Sequence, residues 1–233
     1  MVKILSWNIA KNNYDPSWSK DFLAIVEQYQ PDKIFFQEVS LRADTLEILE
    51  LSQMDWVFAP NFVDTVTNTY SGILIATKCD RLNTQAILSE YYEPIINTPK
   101  VSLFVHYNLT KHPKDLLAAN AHLINFVSDR KFKAQLQQIE SVLAKHQGAI
   151  ILAGDFNTWN SSRSQMLEEM AARQNLTAVS FTAKDTKKIK SFMFSKPLDR
   201  IFYRGFTQKQ YSAKVIDNIS SSDRNPLFVE LSS

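Results

Sequence analysis

The run Ala149-Ile150-Ile151-Leu152-Ala153, followed at once by Gly154-Asp155-Phe156-Asn157, constrains this chain more than any other stretch. Five apolar residues in succession suit a strand covered on both faces rather than a half-wet one. Gly154 lets the backbone turn close to whatever lies beyond the strand. Asp155 and Asn157 are then expected at the strand's C-terminal end, facing a cleft. A carboxylate and an amide two residues apart can polarise a water and hold a phosphate oxygen. Taken alone, the tetrapeptide has a plainer reading, an Asx-rich turn after a core strand.

The same arrangement, an apolar run ending in polar groups, recurs along the chain. Val2 to Trp7 reads as a strand with Asn8 at its end, and Lys33 to Glu38 as a second buried strand ending on a carboxylate. Between them, Pro16 opens a helix with Trp18, Phe22, Ile25, Val26 and Tyr29 on one face, and Pro31 stops it. A second helix is expected over Leu41 to Leu51. The middle of the chain reads as strands at Asp55 to Ala59, Gly72 to Thr77, Ala86 to Ser89, Val101 to Leu109 and Leu116 to Leu123. Asn61 to Ser71 is expected as a surface loop over the cleft, and Lys111 to Lys114 as a hairpin loop. Phe132, Leu136, Ile139 and Leu143 predict a helix over Asp129 to His146, capped at Ser128 or Asp129 and stopped by Gly148. A further helix is expected at Ser162 to Gln174, with strands at Leu198 to Tyr203, Ala213 to Ile216 and Leu227 to Leu231. No repeat, linker or low-complexity tract divides the chain, so residues 1–233 are expected to form one domain.

A hydrophobic content of 45%, a charged content of 21% and a formal net charge of +2 describe an ordinary globular chain. That charge neither implies nor excludes nucleic acid. The single cysteine, Cys79, rules out an intrachain disulfide and fits a reducing compartment, so a cytoplasmic location is expected. No stretch has the form of a signal peptide or approaches the ~20 apolar residues needed to span a bilayer. Stable membrane insertion is therefore not expected. The four Asn-X-Ser/Thr triplets are read as chance, and a monomer is the expected state.

Asn8, Glu38, His122, Asp155, Asn157, Asp199 and Asp223 all follow or flank apolar runs. Carboxylates converging on one sheet edge repel unless a cation sits among them. Oxygen-rich Asp, Glu and Asn donors suit Mg²⁺ or Mn²⁺ rather than zinc. A hard cation beside an amide and an imidazole is equipment for hydrolysing a phosphate ester.

Six short blocks in order carry a resemblance. They are Ser-Trp-Asn at 6–8, Gln-Glu at 37–38, Asn-Ala-His-Leu at 120–123, Gly-Asp-Phe-Asn at 154–157, Leu-Asp-Arg-Ile-Phe at 198–202 and Ser-Asp-Arg-Asn-Pro-Leu at 222–227. The chain resembles the endonuclease/exonuclease/phosphatase superfamily. The resemblance implies an α+β fold, a four-layer α/β/β/α sandwich of two packed, mainly antiparallel sheets with helices on the outer faces. It implies Glu38 as principal metal ligand, Asn8 beside it, and Asp223 available to the same or a second Mg²⁺ or Mn²⁺. Asp155 and Asn157 would position the attacking water and the phosphate. Asn120 and His122 would contact substrate, His122 also assisting the leaving group, and Asp199 would orient a histidine near the C-terminus. The implied reaction is metal-dependent hydrolysis of a phosphodiester, with nucleic acid favoured as substrate.

One block departs from the pattern. Where the family has a histidine after Ser-Asp, this chain has Arg224. A guanidinium has five donors, no acceptor and a permanent charge, so it cannot take a proton from water. It can pair with Asp199 or clamp a phosphate. Three alternatives stay open: an impaired enzyme, an enzyme with another base, or a protein that keeps the site for binding. A lipid or inositol phosphohydrolase is the competing activity, although no apolar membrane loop or strongly basic head-group pocket is evident. His106, His112 and His146 read as structural or solvated. Lys184, Lys187, Lys188 and Lys190 read first as a solvated loop and second as a phosphate-backbone contact.

Overall fold

The computed structural model describes residues 1–42, 51, 54–94, 97–108, 115–191 and 197–232. Two mixed sheets pack face to face. The first contains β1 (Val2–Asn8), β2 (Lys33–Arg42), β3 (Asp55–Asp64), β4 (Thr69–Thr77), β11 (Thr207–Gln208), β12 (Lys214–Val215) and β13 (Leu227–Ser232). Its order is β11-β13-β1-β2-β4-β3, with β12 also on β13. The second runs β5 (Arg81–Leu88), β6 (Val101–Tyr107), β7 (Leu116–His122), β8 (Ala149–Asp155), β10 (Asp199–Arg204), β9 (Thr177–Ala178). Parallel pairing is confined to β1 with β2 and β7 with β8 among the described residues.

Strand alternation explains the layers. Ile4, Phe35, Ile75, Ala118, Ile151 and Val229 point between the sheets and form the central core. Their neighbours Leu5, Ile34, Phe36 and Phe228 face outward and are covered by α1 (Pro16–Tyr29) through Trp18, Phe22 and Ile25. On the other side, Leu117, Ala119, Ile150 and Leu152 are covered by α2 (Asp129–Leu143) and α3 (Ser161–Arg173). Each large side chain buried this way contributes ~1.5–3 kcal/mol. α1 starts where Asp15 accepts from the Ser17 N–H and Pro16 fills a position needing no donor. It ends at Gln30 in the left-handed region, one residue before Pro31.

Several expected boundaries move. Asn61 to Ser71 is not a loop: β3 and β4 form a long hairpin whose turn is held by Asp64 Oδ1, which accepts from the Val66 and Thr67 N–H groups. The polar, threonine-rich composition hid a ribbon with one wet face. Leu41, expected to begin a helix, lies in β2 opposite Tyr70, and the following residues 43–50 lie outside those described. The expected loop at 111–114 also lies outside them. α2 stops at Leu143 with Ala144 as its cap, several residues before Gly148. The lysine cluster is partly ordered by α4 (Ala183–Thr186), a single turn capped by Thr182.

The two sheets are pinned by a polar cross-tie. Asn120 Nδ2 donates to the Phe36 and Leu74 carbonyl oxygens at 2.9 Å each, while Asn120 Oδ1 accepts from Gln37 Nε2 at 2.8 Å. Asn120 is fully buried, so the substrate contact expected of it gives way to a structural one. Removing the amide strands two carbonyls and one donor away from water, at ~1–3 kcal/mol for each unsatisfied group. Asn120→Ala should lose at least ~2 kcal/mol of unfolding free energy in urea titrations. A loss below ~0.5 kcal/mol would contradict this cross-tie.

Candidate active site

Strand direction brings the polar residues together. β1 and β2 run parallel, as do β7 and β8, so Asn8, His122 and Asp155 end their strands on one side. Glu38, which does not end β2 as expected but sits at a bulge within it, lies level with Asn8. β10 runs antiparallel to β8, which places its first residue, Asp199, opposite Asp155. β13 runs antiparallel to β1, so the segment just before it delivers Arg224 to the same end.

Local backbone devices aim these side chains. Glu38 sits at the bulge between Phe36 and Val39 with φ 52°, a region unusual for a non-glycine residue. The bulge turns its carboxylate towards Asn8 and His122. Gly154, with φ 150°, lies so close to β7 that any Cβ would collide with the Ala121 carbonyl. Asn157 has φ 48°, and its N–H returns to Asp155 Oδ1 at 3.0 Å. Arg163 then fixes the chain beyond it. The buried guanidinium donates to the Val127 carbonyl at 2.6 Å and lies between the rings of Phe132 and Trp159.

Asp155 is the hub. Its Oδ2 accepts from Asn8 Nδ2 at 3.1 Å and from Arg224 Nη2 at 2.9 Å. Asn8 Nδ2 also donates to Glu38 Oε1 at 3.1 Å, and His122 Nε2 lies 3.8 Å from that oxygen. Arg224 Nη1 is 3.8 Å from Asp199 Oδ2, beyond hydrogen-bonding range. Both Arg224 Nη1 and Asp199 Oδ1 are buried without a hydrogen-bond partner among the described residues.

The electrostatics follow from this asymmetry. Burial, with Asp155 as the next cause, pushes the Asp199 carboxyl well above the usual range, and the more distant Arg224 only partly offsets them. Burial also opposes the charge on Arg224, but Asp155, Asp199, Asp223 and Glu38 together hold its pKa above the ordinary value. His122 is driven well below its usual value by burial first, then by Lys100, Arg224 and Lys11. It is therefore neutral at pH 7.

Three expected roles meet a different geometry. Asp223, expected beside Asn8 and Glu38, has a 59% exposed side chain drawn to Lys190 Nζ at 2.5 Å. Asn157 Nδ2 donates to the Leu123 carbonyl at 2.7 Å, so the amide is fastened to the turn. Asn120 lies in the inter-sheet tie. Sequence reasoning also missed two cleft lysines. Lys11 and Lys100 line a cleft of about 460 Å³ with Glu38, His122 and Phe62. Lys11 follows Asn8 by three residues and was within reach of a motif reading, whereas nothing local marked Lys100.

The donor set bears on which cation it suits. Among the described residues no group of three or more His, Cys, Asp or Glu side chains forms a ready cage. The partly exposed Glu38 carboxylate and the Asn8 amide oxygen are hard donors, and this fits Mg²⁺, which keeps several waters and takes one or two carboxylates.

The chain belongs to the Endonuclease/Exonuclease/phosphatase family, whose profile matches residues 5–223. At family level it is a phosphodiesterase- or phosphatase-type hydrolase. A UPF0294 protein of Vibrio campbellii is 31% identical over 229 residues, covering 98% of this chain and 76% of that protein. The human Nocturnin catalytic domain with bound sulfate shares the fold at a TM-score of 0.72, with 18% identity and coverage of 99% and 94%. D. rerio TDP2 complexed with single-strand DNA product does so at 0.66, with 17% identity and coverage of 100% and 99%. No helix among the described residues is long and apolar enough to cross a membrane.

His122 supplies a pH test. The unfolded chain takes up a proton near the ordinary value of 6.5, whereas the folded imidazole does so only at much lower pH. The His122 contribution to unfolding free energy in chelator-treated protein should therefore fall as pH drops from about 7.5 to about 5. The raised Asp199 acts in the opposite sense, so the test compares the parent with His122→Gln. The stability of the parent relative to His122→Gln should drop over that range. Parallel curves for the two proteins would show that His122 is not held neutral.

Proposed function

We propose that this protein is a Mg²⁺- or Mn²⁺-dependent phosphodiester hydrolase acting on nucleic acid. The observation that carries the reading is the convergence on Asp155 of Asn8 and Arg224, beside a carboxylate, Glu38, that opens into a lysine-lined cleft. Glu38 and Asn8 would hold the ion, which when bound supplies Lewis-acid polarisation of a phosphoryl oxygen. Lys11 and the part-exposed Phe62 suit an anionic substrate that carries a stacking group, while Lys100 is paired with Glu93 at 3.3 Å on the cleft wall. The sulfate in Nocturnin and the DNA product in TDP2 are consistent with that class of ligand in this fold.

In this reading Asp155 keeps Arg224 aimed, and the unpartnered Nη1 is offered to a phosphoryl oxygen as charge builds there. Asp199 is the proton acceptor for the attacking water. Its carboxyl is raised well above the usual carboxylate range, chiefly by burial, and its buried Oδ1 has no hydrogen-bond partner among the described residues, while Asp155 stays paired with the guanidinium. Asp155, which holds the guanidinium, and Asp199, which lies beyond its hydrogen-bonding reach, thus divide the work that the family assigns to a histidine–aspartate pair. His122, neutral, donates to the substrate from the opposite wall.

A second reading, a binding protein with little turnover, is favoured by the 2.9 Å Arg224–Asp155 bond, which places a fixed cation among the site carboxylates. Purified protein in Mg²⁺, Mn²⁺ or chelator, tested on bis(4-nitrophenyl) phosphate, single-stranded DNA, RNA and sphingomyelin, separates the readings. Metal-dependent cleavage of the diester and of nucleic acid is expected. Glu38→Gln and Asp199→Asn should each lose at least ~10²-fold. Arg224→Lys should lose at least ~10-fold, because lysine cannot form the planar fork. Absence of turnover under every metal condition, with tight nucleic-acid binding, would establish the second reading instead.

A further inference from the structure

The opposite end of the sandwich holds a second chemical cluster that catalysis does not use. Lys33 opens β2 and pairs with Thr77 at the end of β4, roughly 16 Å of strand away from Glu38. Its side chain is 1% exposed. Nζ donates to Thr77 Oγ1 at 2.7 Å and to Cys79 Sγ at 3.3 Å, and lies 5.0 Å from the centre of the Tyr107 ring. Among the described residues, no carboxylate lies within ion-pair distance of Nζ, so the charge of this lysine is neutralised by no partner. Tyr107 is fully buried and its hydroxyl lacks a hydrogen-bond partner there.

An ammonium enclosed without a counter-charge is costly, and the neutral amine is the form that burial favours. Burial accordingly lowers the Lys33 pKa, with Cys79 and Asp32 acting against it. A neutral amine has a lone pair, and the sulfur of the chain's single cysteine lies 3.3 Å from its nitrogen. Cys79 is only partly buried, so a small oxidant can reach it from solvent. Lys33 and Cys79 thus combine an enclosed nucleophile with an accessible oxidisable atom. Lys33 is the first residue of β2, paired in register with Thr77, and Cys79 lies two residues beyond the end of β4, where its N–H donates to Thr77 Oγ1 at 3.3 Å.

We propose that Lys33 and Cys79 form an oxidant-driven covalent bridge, a modification site whose co-reactant is a peroxide. Peroxide takes two electrons from the Cys79 thiol, giving a sulfenic acid and one water. The Lys33 nitrogen then attacks the sulfur. The S–N bond forms as the S–O bond breaks, and the departing hydroxide takes a proton from nitrogen and leaves as a second water. The net change is loss of two hydrogens, and a thiol reductant reverses it. Capture by the amine stops Cys79 short of sulfinic and sulfonic acids. The bridge ties the start of β2 to the chain leaving β4, far from the catalytic end.

The test uses the full chain treated with hydrogen peroxide and mapped by mass spectrometry without reductant. The expected product is a linked peptide pair containing Lys33 and Cys79, two hydrogens lighter than the sum of its parts and released by dithiothreitol. Cys79→Ser should give no linked pair, and in Lys33→Met the cysteine should run on to the sulfinic acid. The bridged parent should melt at least ~5 °C higher than the reduced one, because a cross-link constrains the unfolded chain. Cys79 carrying two or three oxygens beside an unmodified Lys33 peptide in the parent itself would overturn the proposal. That result is read without any variant, so a Lys33→Met protein that fails to fold does not obscure it.

Discussion

The Asp155 carboxylate gathers into one place what the two sheets bring from opposite sides. It is almost fully buried, and such an anion persists only when its oxygens are occupied by donors. Asn8 arrives from the first sheet, the Asn157 N–H from the turn after β8, and Arg224 from the segment entering β13. Moving one sheet by an ångström would break at least two of these bonds together. The Asn120 cross-tie fixes the same sheet-to-sheet distance one strand away. Fold and site are therefore one mechanical object: the polar ties that hold the sheets apart also set the geometry of the cleft.

Arg224 changes the electrostatics of that object more than its shape. A histidine in its place could carry or lose a proton, whereas a guanidinium is charged at every working pH. The fixed charge settles on Asp155 at 2.9 Å and leaves Asp199, at 3.8 Å, with burial as its dominant influence. Burial, and then the neighbouring Asp155, raises the Asp199 carboxyl, and Arg224 at 3.8 Å offsets this only in part. His122 meets the opposite condition, since burial and three nearby cations keep it neutral. The site thus holds one carboxylate bonded to the guanidinium, a second carboxyl raised by burial, and an uncharged imidazole.

Much of this was legible in the sequence because buried strands ending in polar residues leave a local trace. Asn8, His122 and Asp155 are the last residues of β1, β7 and β8 and fall where apolar runs stop, whereas Glu38, read as a strand end, sits at a bulge inside β2, and Asp199 opens β10. What was not legible depends on partners distant in the chain. Asn120 looks like a site residue in its block, and only the arrival of Phe36 and Leu74 carbonyls makes it a tie. Asp223 follows its motif, yet Lys190 draws it outward. The β3–β4 hairpin was hidden because its outer face is wet and polar, so composition resembled a loop. Arg163 and Lys100 carry no local signal at all: one is recognised by the rings of Phe132 and Trp159, the other by the cleft wall.

The central claim is that Arg224 faces the phosphate and shares it with an ion held at Glu38 and Asn8. A crystal structure of the protein with Mn²⁺ and inorganic phosphate tests this most directly. The account predicts a phosphate oxygen within hydrogen-bonding distance of an Arg224 Nη atom, metal density against the Glu38 carboxylate, and Asp155 still bonded to Arg224. Metal bound elsewhere, or phosphate held away from Arg224 while the guanidinium turns fully between Asp155 and Asp199, would contradict it.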